Sequence, residues 1–305
     1  MTRLHQPLLA LLGLVGCSLL LTCKRINTAD DRAAIADLLS TSEYTNEEQC
    51  GAIDDETNDP GGNDLGQAYL PTETIPWVRF VRLLSRPIAR SVTITIPAYE
   101  GYPETTALAT VTANMNGNMY VRNGSPVHHL WVKPISDQGF RRIYLTKHND
   151  TWRIRRMTPW RVTTRDAPYT VAIESVVYSA TPSNLRYVYS NPDSLFTKDE
   201  LPAFVLDDTV TVWVTIRCDS SGWAFLHRGR RGSHIRQAFG RESTNCFVRR
   251  WVVNRDSIPV VPTIRATAVD VISWPALFGD SSSPYNACAW TLPLIFLDRP
   301  DAERP

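Results

Sequence analysis

What the sequence lacks narrows it first. Six cysteines stand among its 305 residues, and no two of them form a Cys-x-x-Cys pair, which removes the usual ligand spacing of a structural zinc site. There is no Gly-x-Ser-x-Gly elbow, no Walker-type phosphate loop and no His-Glu-x-x-His, so the common signatures of acyl transfer, nucleotide binding and zinc proteolysis are missing. No cofactor is expected. The formal net charge is only +1, so the chain as a whole offers no field of one sign. The apolar run Leu8 to Thr22 is shorter than the roughly 20 residues that a membrane-spanning helix needs.

That run carries an address instead. Arg3 and His5 precede it, Leu8 to Gly16 is almost wholly aliphatic, and the stretch closes on Cys17, with Cys23 just beyond. A basic head, an apolar stretch of about 7–15 residues and small residues at the cut make a secretory signal peptide. Leu14-Val15-Gly16-Cys17 resembles the lipobox of bacterial lipoprotein precursors, in which the cysteine is lipidated and becomes the new N-terminus. Cys23 is the alternative lipidation site. Cutting there leaves the polar start Lys24-Arg25-Ile26-Asn27 but puts Thr22 where a smaller residue is usual. Residues 1–23 are therefore expected to be a leader, and the mature protein to be held at the membrane of the bacterial cell envelope by a lipid. An uncleaved anchor and a freely secreted chain are the alternatives.

At 43% hydrophobic and 21% charged residues, the remainder can bury a core. Its charge is unevenly spread. Ala29 to Glu73 holds twelve acids and one base, Arg32, whereas Arg141 to Arg165 holds eight bases and one acid, Asp150. Arg228 to Arg255 repeats the basic excess around Glu242. Basic segments with interleaved Trp152, Trp160 and Trp251 have the composition of a nucleic-acid surface, but export excludes that partner, leaving an envelope protein or a glycan. Cys50, Cys218, Cys246 and Cys288 lie outside the leader. An oxidising compartment favours pairing. Of the three pairings four cysteines allow, Cys218 with Cys246 is preferred, one ending a strand and the other beginning one.

Asp30 to Leu39 reads as a helix, with Ala34, Ile35, Leu38 and Leu39 on one stripe. Trp77 to Leu84 reads as a second, with Val78, Val81 and Leu84 on one side, ending before Pro87. Period-two patterns follow in Ser91–Ile96 and Ala107–Ala113, and Asn116-Gly117 marks a hairpin turn before Met119-Tyr120-Val121. His129–Pro134, Phe140–Lys147 and Trp152–Met157 continue the strands, with Asn149-Asp150 as a turn. Helices followed by an antiparallel meander predict an α+β N-terminal domain over 24–165. Asp31 to Leu39, Arg142 to Lys147 and Trp152-Arg153-Ile154 give this segment an order that resembles the nuclear transport factor 2-like superfamily, with its SnoaL-like cyclases and ketosteroid isomerases. The resemblance implies helices plus a curved antiparallel sheet, forming a cone whose pocket holds a small molecule. From Pro168, strands at Thr170–Tyr178, Thr209–Arg217, Gly222–Arg228, Cys246–Asn254, Thr263–Ser273 and Trp290–Leu297 predict an all-β sandwich over 168–300, with 301–305 as a tail. The layout resembles an immunoglobulin-like bacterial surface domain without its Cys…Trp…Cys arrangement.

Few side chains stand out as chemistry. An isomerase-like cone needs a carboxylate tuned by an apolar pocket. Glu43 and Tyr44 are the pocket candidates, because Asp31 and Asp37 fall off the helical stripe, where a cap or a solvated face accounts for them. Asp54, Asp55, Glu56 and Asp59 sit beside Gly61-Gly62 and have the oxygen density of a calcium loop, but they lack the EF-hand spacing. A solvated acidic loop explains them as well, and no metal is expected. His128 and His129 would point to opposite faces of a strand, so an exposed turn accounts for them. His148 and His227 read as surface or packing groups. Gly229-Arg230-Arg231-Gly232 reads as a basic hairpin tip suited to anionic groups. The late loop Trp274 to Tyr285 is aromatic enough to be either a contact surface or a covered edge.

The function expected from these readings is an exported, lipid-anchored, non-enzymatic binding or structural module. The alternative is a small-molecule binder or an isomerase- or cyclase-like enzyme using the pocket of the N-terminal cone.

Overall fold

The computed structural model describes residues 28–55, 76–97, 106–124, 127–168, 170–228, 235–254 and 263–304. Cys17, Cys23, Glu56, Asp59 and the Gly229–Gly232 tip lie outside them. The chain opens with α1 (Thr28–Thr41) and the single turn α2 (Glu47–Cys50). The first strands are β1 (Val78–Leu84), β2 (Ala89–Thr95), β3 (Thr106–Asn123), β4 (His129–His148), β5 (Thr151–Met157) and β6 (Trp160–Thr164). Then come β7 (Val171–Thr181), β8 (Leu185–Tyr189), β9 (Phe196–Thr197), a 3-10 turn at Lys198–Glu200, β10 (Ala203–Val205) and β11 (Thr209–Cys218). The chain continues through β12 (Gly222–Arg228), β13 (Ile235–Ala238), β14 (Gly240–Ser243), β15 (Cys246–Val252) and β16 (Thr263–Ser273). It ends in the short helix α3 (Trp274–Phe278) and β17 (Ala287–Leu297).

These strands make two sheets, and the larger overturns the expected division into an α+β cone and a separate sandwich. Its path runs β1-β3-β4-β6-β17-β16-β12-β13, so strands from both sides of 165–168 share one ladder. The joint is β6, which pairs with β4 on one side (Gly139↔Val162) and β17 on the other (Ala289↔Val162). Two long strands form the spine. β3 pairs with β4 from Thr106↔Thr146 to Asn123↔His129, without a turn at Asn116-Gly117. Half-length strands flank the spine in pairs, β1 and β2 along β3, and β5 and β6 along β4. The expected hairpin turn is therefore mid-strand, and its glycine has another cause. A Cβ on Gly117 would collide with the Leu83 backbone as β1 leaves the sheet.

The sheet curls until its edges face one another. Arg236 on β13 donates Nη2 to the Phe80 carbonyl of β1 at 2.6 Å and lies 3.8 Å over the Phe80 ring. α3 covers one end: Lys133 Nζ donates to the carbonyls of Pro275 and Gly279, and Asn123 Nδ2 to that of Leu277. The aromatic late loop thus packs inward, with Ala276, Leu277 and Tyr285 buried. The smaller sheet, β14-β15-β11-β7-β8, is antiparallel and contacts β16 and β17 of the larger one through β7 and β11. Val210, Val212, Val214 and Ile216 bury the expected face of β11. Every residue of β17 is buried, because one of its faces lines the curl and the other meets the second sheet; strands covered on both faces read as continuous apolar runs.

α1 forms where expected, with Asp30 and Asp31 in its first turn, where they complement the positive end of the helix. Its buried stripe is Asp31, Ile35 and Leu39, with Ala34 exposed. The second expected helix is instead β1. Val78, Phe80, Arg82 and Leu84 point inward at period two, and the inward arginine disguised the alternation. Asn149 and Asp150 do make the tight turn, with φ of 48° and 62°, the left-handed values a two-residue hairpin requires. Cys218 and Cys246 are free thiols, as are Cys50 and Cys288. Cys246 lies opposite Thr215, so Cys218 is three residues too far along β11. At ~3.4 Å per residue that is about 10 Å, beyond disulfide reach.

Candidate functional site

Two clusters of polar side chains stand out, one inside the curl and one on its outer face. Inward positions of β1, β4, β12 and β16 deliver Arg82, Asp137, His227 and Asp270, all at most 1% exposed. Arg82 Nη2 donates to Asp270 Oδ2 at 2.7 Å and lies 2.9 Å from His227 Nε2. That nitrogen is also 3.2 Å from Asp270 Oδ2. It can present a lone pair to Arg82 or a proton to Asp270, but not both at once. Arg82 Nη1 reaches the Tyr285 hydroxyl at 3.4 Å, the Tyr285 hydroxyl donates to Asp137 Oδ2 at 3.0 Å, and Thr164 Oγ1 donates to Asp137 Oδ1 at 2.8 Å.

Burial and charge act against each other here. Burial raises the Asp270 carboxyl, but Arg82 and His227 overcome it and hold the group below the ordinary carboxylate range. Asp137 has weaker help: burial pushes it up to about 6, with Thr164, Arg82 and Tyr285 pulling back only part of the way. Burial, then the Asp137 charge, raises the Tyr285 phenol well above its usual value. Histidine, carboxylate and phenol in hydrogen-bond contact are the materials of acid–base catalysis, yet none of these side chains meets solvent. The arrangement ties four strands together.

The sequence-derived site residues fall elsewhere. Asp54 accepts from Leu84 N and from Arg86 Nε and Nη2, and Asp55 accepts from Arg82 N and Arg236 Nη1. Their oxygens serve arginines and backbone amides of the strand edge rather than a cation. Among the described residues no group of three or more His, Cys, Asp or Glu could hold a metal. Glu43 is exposed, while Tyr44 is buried beneath Lys198, whose Nζ lies 4.4 Å from its ring centre. Burial raises the Tyr44 phenol to about 12. The two do not share a pocket. Asp31 lies on the helical stripe, contrary to expectation, and accepts from Lys147 Nζ at 2.7 Å and Trp152 Nε1 at 2.9 Å. His128 and His129 are exposed against Trp77 and Trp131. His227, read as a surface or packing group, belongs to the interior network.

The second cluster lines an open cleft of about 720 Å³ on the outer face of β4 and β5, walled by Leu195, Thr197, Lys198 and Asp199. Its floor depends on a β-bulge. Tyr144 faces Arg156 and the next pair is Leu145↔Ile154, which leaves Arg155 as the extra residue. Strict alternation would send Arg153 and Arg155 outward and Arg156 inward. The bulge turns Arg156 outward as well, and Met157 takes the inward place; re-aiming a side chain is what such bulges do. Sequence alone showed three nearby arginines but not the irregularity that puts them on one face. No protein-family model matches this chain, and no curated protein matches it.

Proposed function

We propose that this chain is an exported, lipid-anchored protein of the bacterial cell envelope that acts as a non-enzymatic binding or structural module. The observation that carries the reading is the buried polar network inside the curl. Its acid, base and phenol groups, Asp137, Asp270, His227 and Tyr285, are buried and bonded to one another, so the surface is left to do the work. Export and anchoring rest on Leu14-Val15-Gly16-Cys17 behind its apolar run. Among the described residues no helix is long and apolar enough to cross a membrane. Lipidation is the chemistry expected there, and one acyl chain needs a second chain or a surface contact for stable anchoring.

Intact mass and detergent partitioning test this in a bacterial host. Wild type should carry acyl mass and enter the detergent phase, and Cys17→Ser should lose both. Loss in Cys23→Ser instead moves the anchor to that residue. If both variants behave as wild type, the protein is not lipid-anchored.

A further inference from the structure

We propose that the cleft between β4, β5 and Leu195–Asp199 binds an acidic oligosaccharide, a sugar chain bearing repeated carboxylate or sulfate groups. The inference deepens the binding-module reading and rests on it.

Three cations line this cleft, Arg155 and Arg156 from the bulged strand and Lys198 from the facing turn, and the charge of Arg153 acts on Lys198 from beside it. Among the described residues no salt bridge joins any of them to a carboxylate, and Asp199 is the one acid in the wall. Several arginines elsewhere are matched to acids, Arg82 to Asp270, Arg86 to Asp54 and Glu47, Arg142 to Asp193 and Arg236 to Asp55. Burial, with Arg153 and Arg155 adding like charge, pulls the Lys198 ammonium below its ordinary range. An arriving anion would relieve that crowding.

The cations are also held in place. Arg155 Nε donates to Thr146 Oγ1 at 2.8 Å. The turn bearing Lys198 is fastened by Thr197, whose backbone N and Oγ1 both donate to Glu200 Oε2. Arg304 fastens it again, donating Nη1 to the carbonyls of Lys198, Asp199 and Leu201. Groups already ordered before binding lose less entropy on meeting a ligand.

Size and chemistry select the ligand. Guanidinium forks pair bidentately with planar or tetrahedral oxyanions. With Arg155 bulged out, Arg153 and Arg156 stand opposite Thr146 and Tyr144, two ladder positions or roughly 7 Å apart, so a single inorganic ion engages only part of the row. The volume suits a ligand of several rings, since small-molecule sites span about 300–1,000 Å³. Between the charges lie the Tyr144 ring and the hydroxyl-bearing Thr146 and Thr197, which suit the flat apolar faces and hydroxyls of sugars.

Calorimetry on the full chain in detergent micelles tests this with a heparin-derived hexasaccharide and hexagalacturonate. Maltohexaose serves as the neutral control, and inositol hexakisphosphate and a single-stranded DNA oligomer as phosphate probes. The expected result is saturable binding of at least one acidic sugar, weakened by salt, with maltohexaose silent. The double variant Arg155→Gln/Arg156→Gln should weaken it by about tenfold or more, since each lost charge-assisted hydrogen bond is a substantial share of such an affinity. Arg217→Gln, on the far sheet, should bind as wild type, and matched melting curves show that the double variant is folded. The proposal is overturned if neither acidic sugar binds, if the double variant binds them as wild type does, or if a phosphate probe binds more tightly than both through the same arginines. Any of these with the acyl mass of the wild type intact sinks the ligand assignment alone; the anchor reading fails if neither Cys17→Ser nor Cys23→Ser changes acyl mass or partitioning.

Discussion

Arg82 and Asp270, 188 positions apart in sequence, meet at 2.7 Å inside the curled sheet with neither side chain exposed. Buried pairs of this kind are weak evidence of net stabilisation, because desolvation offsets much of their attraction. They become costly when one member is removed.

Asp270→Ala should therefore destabilise the protein by about 3–5 kcal/mol, the cost of leaving Arg82 buried without its counter-charge. The double change Arg82→Met/Asp270→Leu should cost less than Asp270→Ala alone. Denaturant unfolding of the three proteins checks the order, and an equal loss in both variants contradicts it.

Asp137 gives a pH signature of its own. Its carboxyl titrates near 6 in the folded chain against 3.8 ordinarily. Between those values the unfolded chain gives up the proton and the native chain keeps it. The Asp137 contribution is thus most favourable below about pH 4 and falls as pH rises to about 6, by up to about 3 kcal/mol. The stability difference, wild type minus Asp137→Asn, should drop across this window and be flat above it. A difference that rises through the window refutes the assignment.

Gly139 has no room for a side chain. A Cβ there would run into the Trp160 ring, which is wholly buried against β4. Gly139→Ala should cost about 1–3 kcal/mol through overpacking, and Trp160→Leu in the same chain should recover part of it. Additive losses in a thermal-melt series would show that the two sites are independent.

Arg236 holds the free edge of β13 to β1 through Asp55 and the Phe80 carbonyl. Arg236→Ala should speed amide exchange along β1 while leaving β11 and β15 protected, since local opening tracks the loss of local contacts. Unchanged exchange at Phe80 and Val81 would mean that the curl does not depend on this arginine.

The sequence made some of this legible and hid the rest for physical reasons. The first helix and the Asn149-Asp150 turn are local, fixed by capping charge and backbone sterics, and both were readable. β1 reads as a helix because an arginine occupies its apolar face, and the reason for that arginine lies in β16. Asn116-Gly117 carries the dipeptide of a hairpin, but the glycine answers to the close approach of Leu83 from a neighbouring strand. The interior network draws on β1, β4, β12, β16 and Tyr285, so no window of sequence contains it. The cleft was half visible: the arginines could be counted, but their common face comes from a single unpaired residue in β5.

The place of β17 in the ladder has a consequence for synthesis. Among the described strands it is made after all the others, yet it lies between β6 and β16 near the middle of the large sheet. Until residues 287–297 have been made, both neighbours carry open hydrogen-bonding edges of the kind that recruit other chains. The emerging polypeptide must keep those edges apart from one another and from other copies. A chain stopped before Ala287 would retain most of its strands and lack the piece that seals them, making aggregation, rather than a smaller folded product, its fate.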